Sequence, residues 1–122
     1  MKWVYYNVNP LGERMPDCVI RAISLATNID YYEILWMLED IGDIFMCDEL
    51  CVDCYSNLLT QVFGYREFDG YGKAVSEIGE IFDDDIIIAR IDGHLTCIIR
   101  NILFDIWDCS NEICDRFWIV ER

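Results

Sequence analysis

The sequence predicts an α+β fold in which N-terminal helices pack on a C-terminal antiparallel sheet. Three observations carry this. Apolar residues recur at helical spacing from residue 19 to about residue 62, and from residue 86 they fall in strand-length runs separated by turn residues. Helix first and strand afterwards, rather than in alternation, argues for segregated layers. The third is size: 122 residues at 54% hydrophobic composition supply one core and leave no room for a second, so residues 1–122 read as one domain.

Taken in order, residues 2–7 are aromatic and β-prone, and Asn9-Pro10-Leu11-Gly12 is a turn signal. Pro16 and Asp17 then open a strongly apolar helix that buries Val19, Ile20, Ala22, Ile23, Leu25 and Ala26, with Arg21 its sole charge. Asp17 suits the N-cap, its carboxylate accepting a first-turn N–H, which sets Cys18 at the first helical position. After Asn28, the pair Asp30 and Glu33 resembles a capping box for a second helix through Ile34, Leu35, Leu38 and Ile41, closed by Gly42. A third helix is expected over 48–62 and is ended by Gly64. A short strand follows at 65–68, a turn at Gly70 and Gly72, and a short helix at 73–82. Strands are expected at 86–91, 94–100, 103–108 and 116–120.

Nine basic against 23 acidic residues leave a net charge of −14, which disfavours a phosphate backbone or an anionic membrane as partner. No apolar stretch has the length of a membrane span and residues 1–7 contain no long apolar run of the signal-peptide kind, so the expectation is a soluble, unexported, cytoplasmic protein. Seven cysteines, an odd number without an export signal, predict reduced thiols rather than a complete disulfide framework. Cys47, Cys51 and Cys54, spaced four and three apart, lie on one helix face continued by Leu58 and Val62, which reads as a core stripe. A closed zinc site needs a fourth ligand that the neighbourhood does not offer, so neither metal nor cofactor is expected.

The residues that carry chemistry are Cys18 and His94, the only histidine. A cysteine on the first turn of a helix sees unpaired N–H groups and the positive end of the helix dipole, both of which favour thiolate. A histidine completes the activation, and a carboxylate orients the histidine. Cys18, then His94, then Asp105 or Asp108 is the order of papain-like peptidases. If 94–100 and 103–108 form a hairpin, a three-residue loop at 100–102 sets His94 opposite Asp108, and a two-residue loop at 101–102 sets it opposite Cys109. Asp108 is therefore favoured over Asp105. The backbone N–H of Cys18 supplies one oxyanion donor, and the side chain of Asn9 or Asn7 is the candidate for the second, because no Gln stands about six residues before the cysteine.

These segments also resemble a known group. Tyr5-Tyr6-Asn7-Val8-Asn9-Pro10-Leu11-Gly12, Asp17-Cys18-Val19-Ile20-Arg21-Ala22-Ile23-Ser24, Gly93-His94-Leu95-Thr96 and Asp105-Ile106-Trp107-Asp108-Cys109-Ser110-Asn111-Glu112 resemble small, largely uncharacterised phage and gut-bacterial proteins. That group is similar to bacteriocin-leader peptidase domains. The likeness covers both ends of the chain and little of its acidic middle. It implies a papain-like fold with Cys18 as nucleophile, His94 as base and Asp108 as third member. The chain departs from the pattern at Asn101-Ile102, where relatives carry Asp-Gly, and in its extra cysteines at 97, 109 and 114.

The leading expectation is thus a phage- or mobile-element-type thiol protease, isopeptidase or amidase acting on a peptide or protein substrate. The rival is a non-catalytic acidic protein on the same fold that occupies a basic surface, for instance that of a host defence protein.

Overall fold

The computed structural model describes residues 1–122 and is α+β, with four helices and a six-stranded mixed sheet. The strands are β1 (Lys2–Tyr5), β2 (Arg66–Asp69), β3 (Ile86–Ile91), β4 (His94–Ile99), β5 (Ile102–Asp105) and β6 (Arg116–Val120). The helices are α1 (Cys18–Thr27), α2 (Tyr31–Phe45), α3 (Val52–Ser56) and α4 (Val75–Ile81), with a π-helical stretch, Asn57–Val62, continuing α3. The strand order across the sheet is β1-β5-β4-β3-β6-β2. All neighbours are antiparallel except β1, which runs parallel to β5 at one edge. The expected meander is therefore present in β3, β4 and β5, and the chain's first strand extends it. No helix is long and apolar enough to cross a membrane.

β3 is central because its Ile-Ile-Ile-Ala-Arg-Ile run is apolar toward both faces. On one face Ile88, Leu95, Cys97, Trp118 and Val120 pack against α1, α2 and the α3–π segment. On the other, Ile87, Ala89, Ile98, Leu103 and Phe117 pack against Val75 and Ile78 of α4. α1 is held between α2 and the sheet, so Ile23 and Ala26 are fully buried. Truncating Ile23 to Ala would cost about 2–5 kcal/mol.

Several expectations require correction. Asp17 stands at the N-cap position of α1, but its side chain makes no cap bond. It is drawn into the interior by Arg21 instead. α2 does not close at Gly42 but runs to Phe45, and Met46, at φ 55°, takes the left-handed cap. Gly42 serves close approach, since a Cβ there would lie 3.0 Å from the Cys47 carbonyl. The third helix begins at Val52, not at residue 48. Cys47 lies in the turn before it and is joined to Cys54 by a disulfide with a Cα–Cα distance of 6.0 Å, leaving five free cysteines. The uniformly reduced stripe is thus replaced by one bridge and one adjacent thiol, Cys51.

The β4–β5 loop also differs from both registers considered. It is the two-residue loop Arg100-Asn101, with φ 49° and 61°, and Ile99 pairs with Ile102. The reason is steric. Two positive φ values in succession match a type I′ hairpin turn, which Arg and Asn tolerate and β-branched Ile102 does not. Either expected loop would have placed Ile102 within the turn.

Candidate active site

The two-residue turn Asp92-Gly93, with Gly93 at φ 67°, reverses the chain so that His94 starts β4 opposite Ile91. Cys18 starts α1, which crosses the same strand. The two side chains line the same cleft, near enough that the imidazole and the Leu95 backbone N–H favour the Cys18 thiolate. None of the N–H groups of Cys18, Val19 and Ile20 has an acceptor in the hydrogen-bond network. Because Asp17 has turned inward, the helix start beside the sulfur remains uncapped and electropositive.

His94 Nε2 lies 2.6 Å from Asp105 Oδ2, leaving Nδ1 for the thiol. The corrected loop register produces this contact. Continued by one residue, it sets Thr96 opposite Asp105, and Thr96 Oγ1 donates to Asp105 Oδ2 at 2.6 Å. The Ile106 N–H donates to Oδ1 at 2.7 Å, and Arg21 reaches Oδ1 at 3.3 Å. The Cys109 thiol lies 3.9 Å from Oδ2. β1 seals the back of the group: Trp3 Nε1–H and the Tyr6 N–H both donate to the Asp105 carbonyl, at 3.2 and 3.1 Å. Asp108, the favoured candidate from sequence, is exposed and accepts only the N–H of Ser110. It does not orient His94.

A second buried carboxylate stands behind the first. Asp17 accepts from Arg21 Nε at 2.7 Å, from the Tyr31 hydroxyl at 2.7 Å and from Asn9 Nδ2 at 3.0 Å. The Asn9 side-chain oxygen, Oδ1, accepts the Leu11 N–H. Asn9 is therefore a brace for the loop before α1 and not the second oxyanion donor. Asn7 is similarly engaged, with the Glu13 carbonyl and the Asn9 N–H. Arg21 bridges the two carboxylates, forming the chain Asp17–Arg21–Asp105–His94. Removing one partner of a buried pair of this kind costs about 3–5 kcal/mol.

The protonation states follow from these contacts. Burial opposes charge on His94, but its bonds to Asp105, Cys109 and Cys18 outweigh that and raise its pKa from 6.5 to about 11. Burial likewise opposes the Cys18 thiolate, yet the bond to His94, the Leu95 N–H and the charges of His94 and Arg21 hold its pKa below the ordinary value of 9.0. Asp105 is held below its usual range despite burial by His94 and Thr96. Thiolate and imidazolium therefore favour one another above a carboxylate that is held ionised. By contrast, burial pushes the thiol of Cys114 up to about 12 and that of Cys97 higher still.

Cys18 and His94 line a cleft of about 330 Å³ whose walls include Val19, Leu50, Val52 and Tyr55, with Arg90 and Cys51 at its margin. Trp107 stands edge-on to the imidazole at 5.3 Å between ring centroids and shields it from solvent. Sequence reasoning missed Thr96 and Tyr31 and left Arg21 without a role. The available signal was strand alternation, which puts Thr96 on the same face as His94. Comparison with protein-family models, curated proteins and solved structures finds no match to this chain.

Proposed function

We propose that this chain is a cysteine-dependent hydrolase of the papain type, cleaving a peptide, isopeptide or amide bond through Cys18, His94 and Asp105. The observation that carries the reading is the single imidazole bonded to a buried carboxylate and lining one cleft with a helix-start thiol whose pKa is lowered. Nucleophile, base and orienting group stand in the relation that acyl transfer requires. Cys18 attacks the carbonyl carbon. The oxyanion that forms meets the unpaired N–H groups at the start of α1. His94, protonated at rest, gives its proton to the leaving amine. Water, deprotonated by His94, then releases the acyl group from sulfur. Asp105 stays ionised throughout and holds Nε2, while Trp107 keeps water from that hydrogen bond.

The cleft is shallow and mainly apolar, which suits an extended segment with apolar side chains beside the scissile bond. The test is incubation of the full chain with an extended peptide library, with products read by mass spectrometry. Cleavage by the wild type and none by Cys18→Ala is the expected result. Equal product patterns from the two proteins would remove the hydrolase reading.

A second reading, a non-catalytic acidic interaction protein, is favoured by one surface. Trp36, Ile44, Phe45 and Met46 are exposed on or just beyond α2, in a chain of net charge −14. A biological effect that survives Cys18→Ala and is lost on reversing acidic residues between 40 and 53 would support that reading instead.

A further inference from the structure

We infer that Cys47, Cys51 and Cys54 form a redox-gated thiolate site for a zinc-class divalent ion on the margin of the cleft. The ligand sulfurs of all three lie within 4.8 Å of one another. A tetrahedral ion with Zn–S bonds of about 2.3 Å holds its sulfurs roughly 3.8 Å apart, so the three fit one ion without a change of backbone course. The spacing Cys-x₃-Cys-x₂-Cys is realised in one turn and the start of one helix rather than along a continuous helical face. Cys47 follows the end of α2, its N–H bonded to the Gly42 carbonyl. Cys51 is the N-cap residue of α3, its N–H held by the Asp48 carbonyl and its own carbonyl accepting from Tyr55. Cys54, in the first turn of α3, is fully buried. Backbone bonds thus hold Cys47 and Cys51, and burial holds Cys54, before any ion arrives.

In the present structure Cys47 and Cys54 are joined and Cys51 is the free thiol beside them. This is the oxidised form of the same three sulfurs. A dithiol reductant converts it: one reductant thiolate attacks the bridge and forms a mixed disulfide, and its second thiol resolves that bond. Two electrons enter, two thiols are released, and the reductant leaves as its own disulfide. The ion then binds three thiolates as three protons depart. Cys51 lines the cleft, so the fourth coordination position faces water there or a donor group of whatever enters. None of this depends on Cys18 being a nucleophile.

The test uses the full chain, reduced with a phosphine, desalted without oxygen and titrated with Co²⁺. One equivalent should bind with thiolate-to-cobalt charge-transfer bands in the near ultraviolet and tetrahedral d–d bands in the red, and Zn²⁺ should displace it. Cys51→Ser should weaken binding by more than the roughly 10–100-fold that loss of an outer-shell partner costs, and Cys18→Ser should leave it unchanged. Protein oxidised with diamide should not bind. Should Cys51→Ser fold poorly, protection of Cys47, Cys51 and Cys54 from alkylation by Zn²⁺ in the wild type provides the same reading. Absence of charge-transfer bands in the reduced wild type, or equal loss with Cys18→Ser, overturns the site.

Discussion

Asp105→Asn is the sharpest perturbation, because the carboxylate it removes is surrounded by donors. Oδ2 accepts from His94 and Thr96, and Oδ1 accepts from Ile106 and Arg21. An asparagine keeps one acceptor oxygen and turns an NH₂ group toward the other pair of donors. Whichever way the amide faces, about two hydrogen bonds are lost, and charge-assisted bonds contribute roughly 1.5–3 kcal/mol each. The stability cost should be about 3 kcal/mol or more. For 122 residues the unfolding entropy is about 0.26 kcal/mol/K, so the melting temperature should fall by roughly 12 °C. The imidazolium also loses its partner, so Cys18 should require a higher pH to react with iodoacetamide. The matched control is Asp108→Asn, an exposed residue whose only bond, from Ser110, an amide oxygen also accepts. It should stay within about 0.5 kcal/mol of wild type and leave the alkylation profile unchanged. Thermal melts and pH-resolved alkylation of both variants decide the matter. A damaging Asp108→Asn beside a harmless Asp105→Asn would refute the register and the assignment together.

Cys18→Ala should abolish hydrolysis while changing stability by only about 1 kcal/mol, measured by urea titration. Mass spectrometry of partly alkylated protein should find Cys18 labelled below pH 8, with Cys97 and Cys114 protected until unfolding, since burial raises both thiols. Asp17→Ala leaves Arg21, Tyr31 and Asn9 facing a gap, and should cost about 3–5 kcal/mol in a denaturant melt even though Asp17 itself does not line the cleft. His94 has a folded pKa of about 11 against 6.5 unfolded. Its protonation therefore stabilises the fold fully below pH 6.5, and that contribution is lost as pH rises toward 11. The stability gap between wild type and His94→Gln, followed by urea midpoint, should accordingly be widest near pH 6 and shrink into alkali. A gap that widens above pH 8 would contradict the ion pair.

The positions of Cys18 at a helix start and His94 at a strand start were legible because local signals placed them. Proline and aspartate before an apolar run mark a helix start, and Asp92-Gly93 marks the turn that puts His94 at the head of a strand. The contact of His94 with Asp105 was not legible from the same reasoning. It depended on which two residues form the β4–β5 turn, and a one-residue slip moves every cross-strand pair. The intolerance of Ile102 for a left-handed conformation was the information that would have fixed it, through residue chemistry and not spacing. Asp17 misled for a related reason. Its cap propensity is real, but a buried Arg21 four residues on offers a stronger partner than a backbone N–H. The parallel pairing of β1 with β5 had no local signature at all, because it joins residues about 100 positions apart.

That last pairing has a consequence for timing. Cys18 emerges early in synthesis, whereas His94 and Asp105 come late, and β1 must wait for β5 before it can close the back of the site. Until then the sulfur is an ordinary cysteine, mostly protonated and slow to react. Loop closure over such a span is among the slower steps of folding. A chain in which β5 has not yet paired therefore lacks both the carboxylate beside His94 and the strand that closes the back of the site.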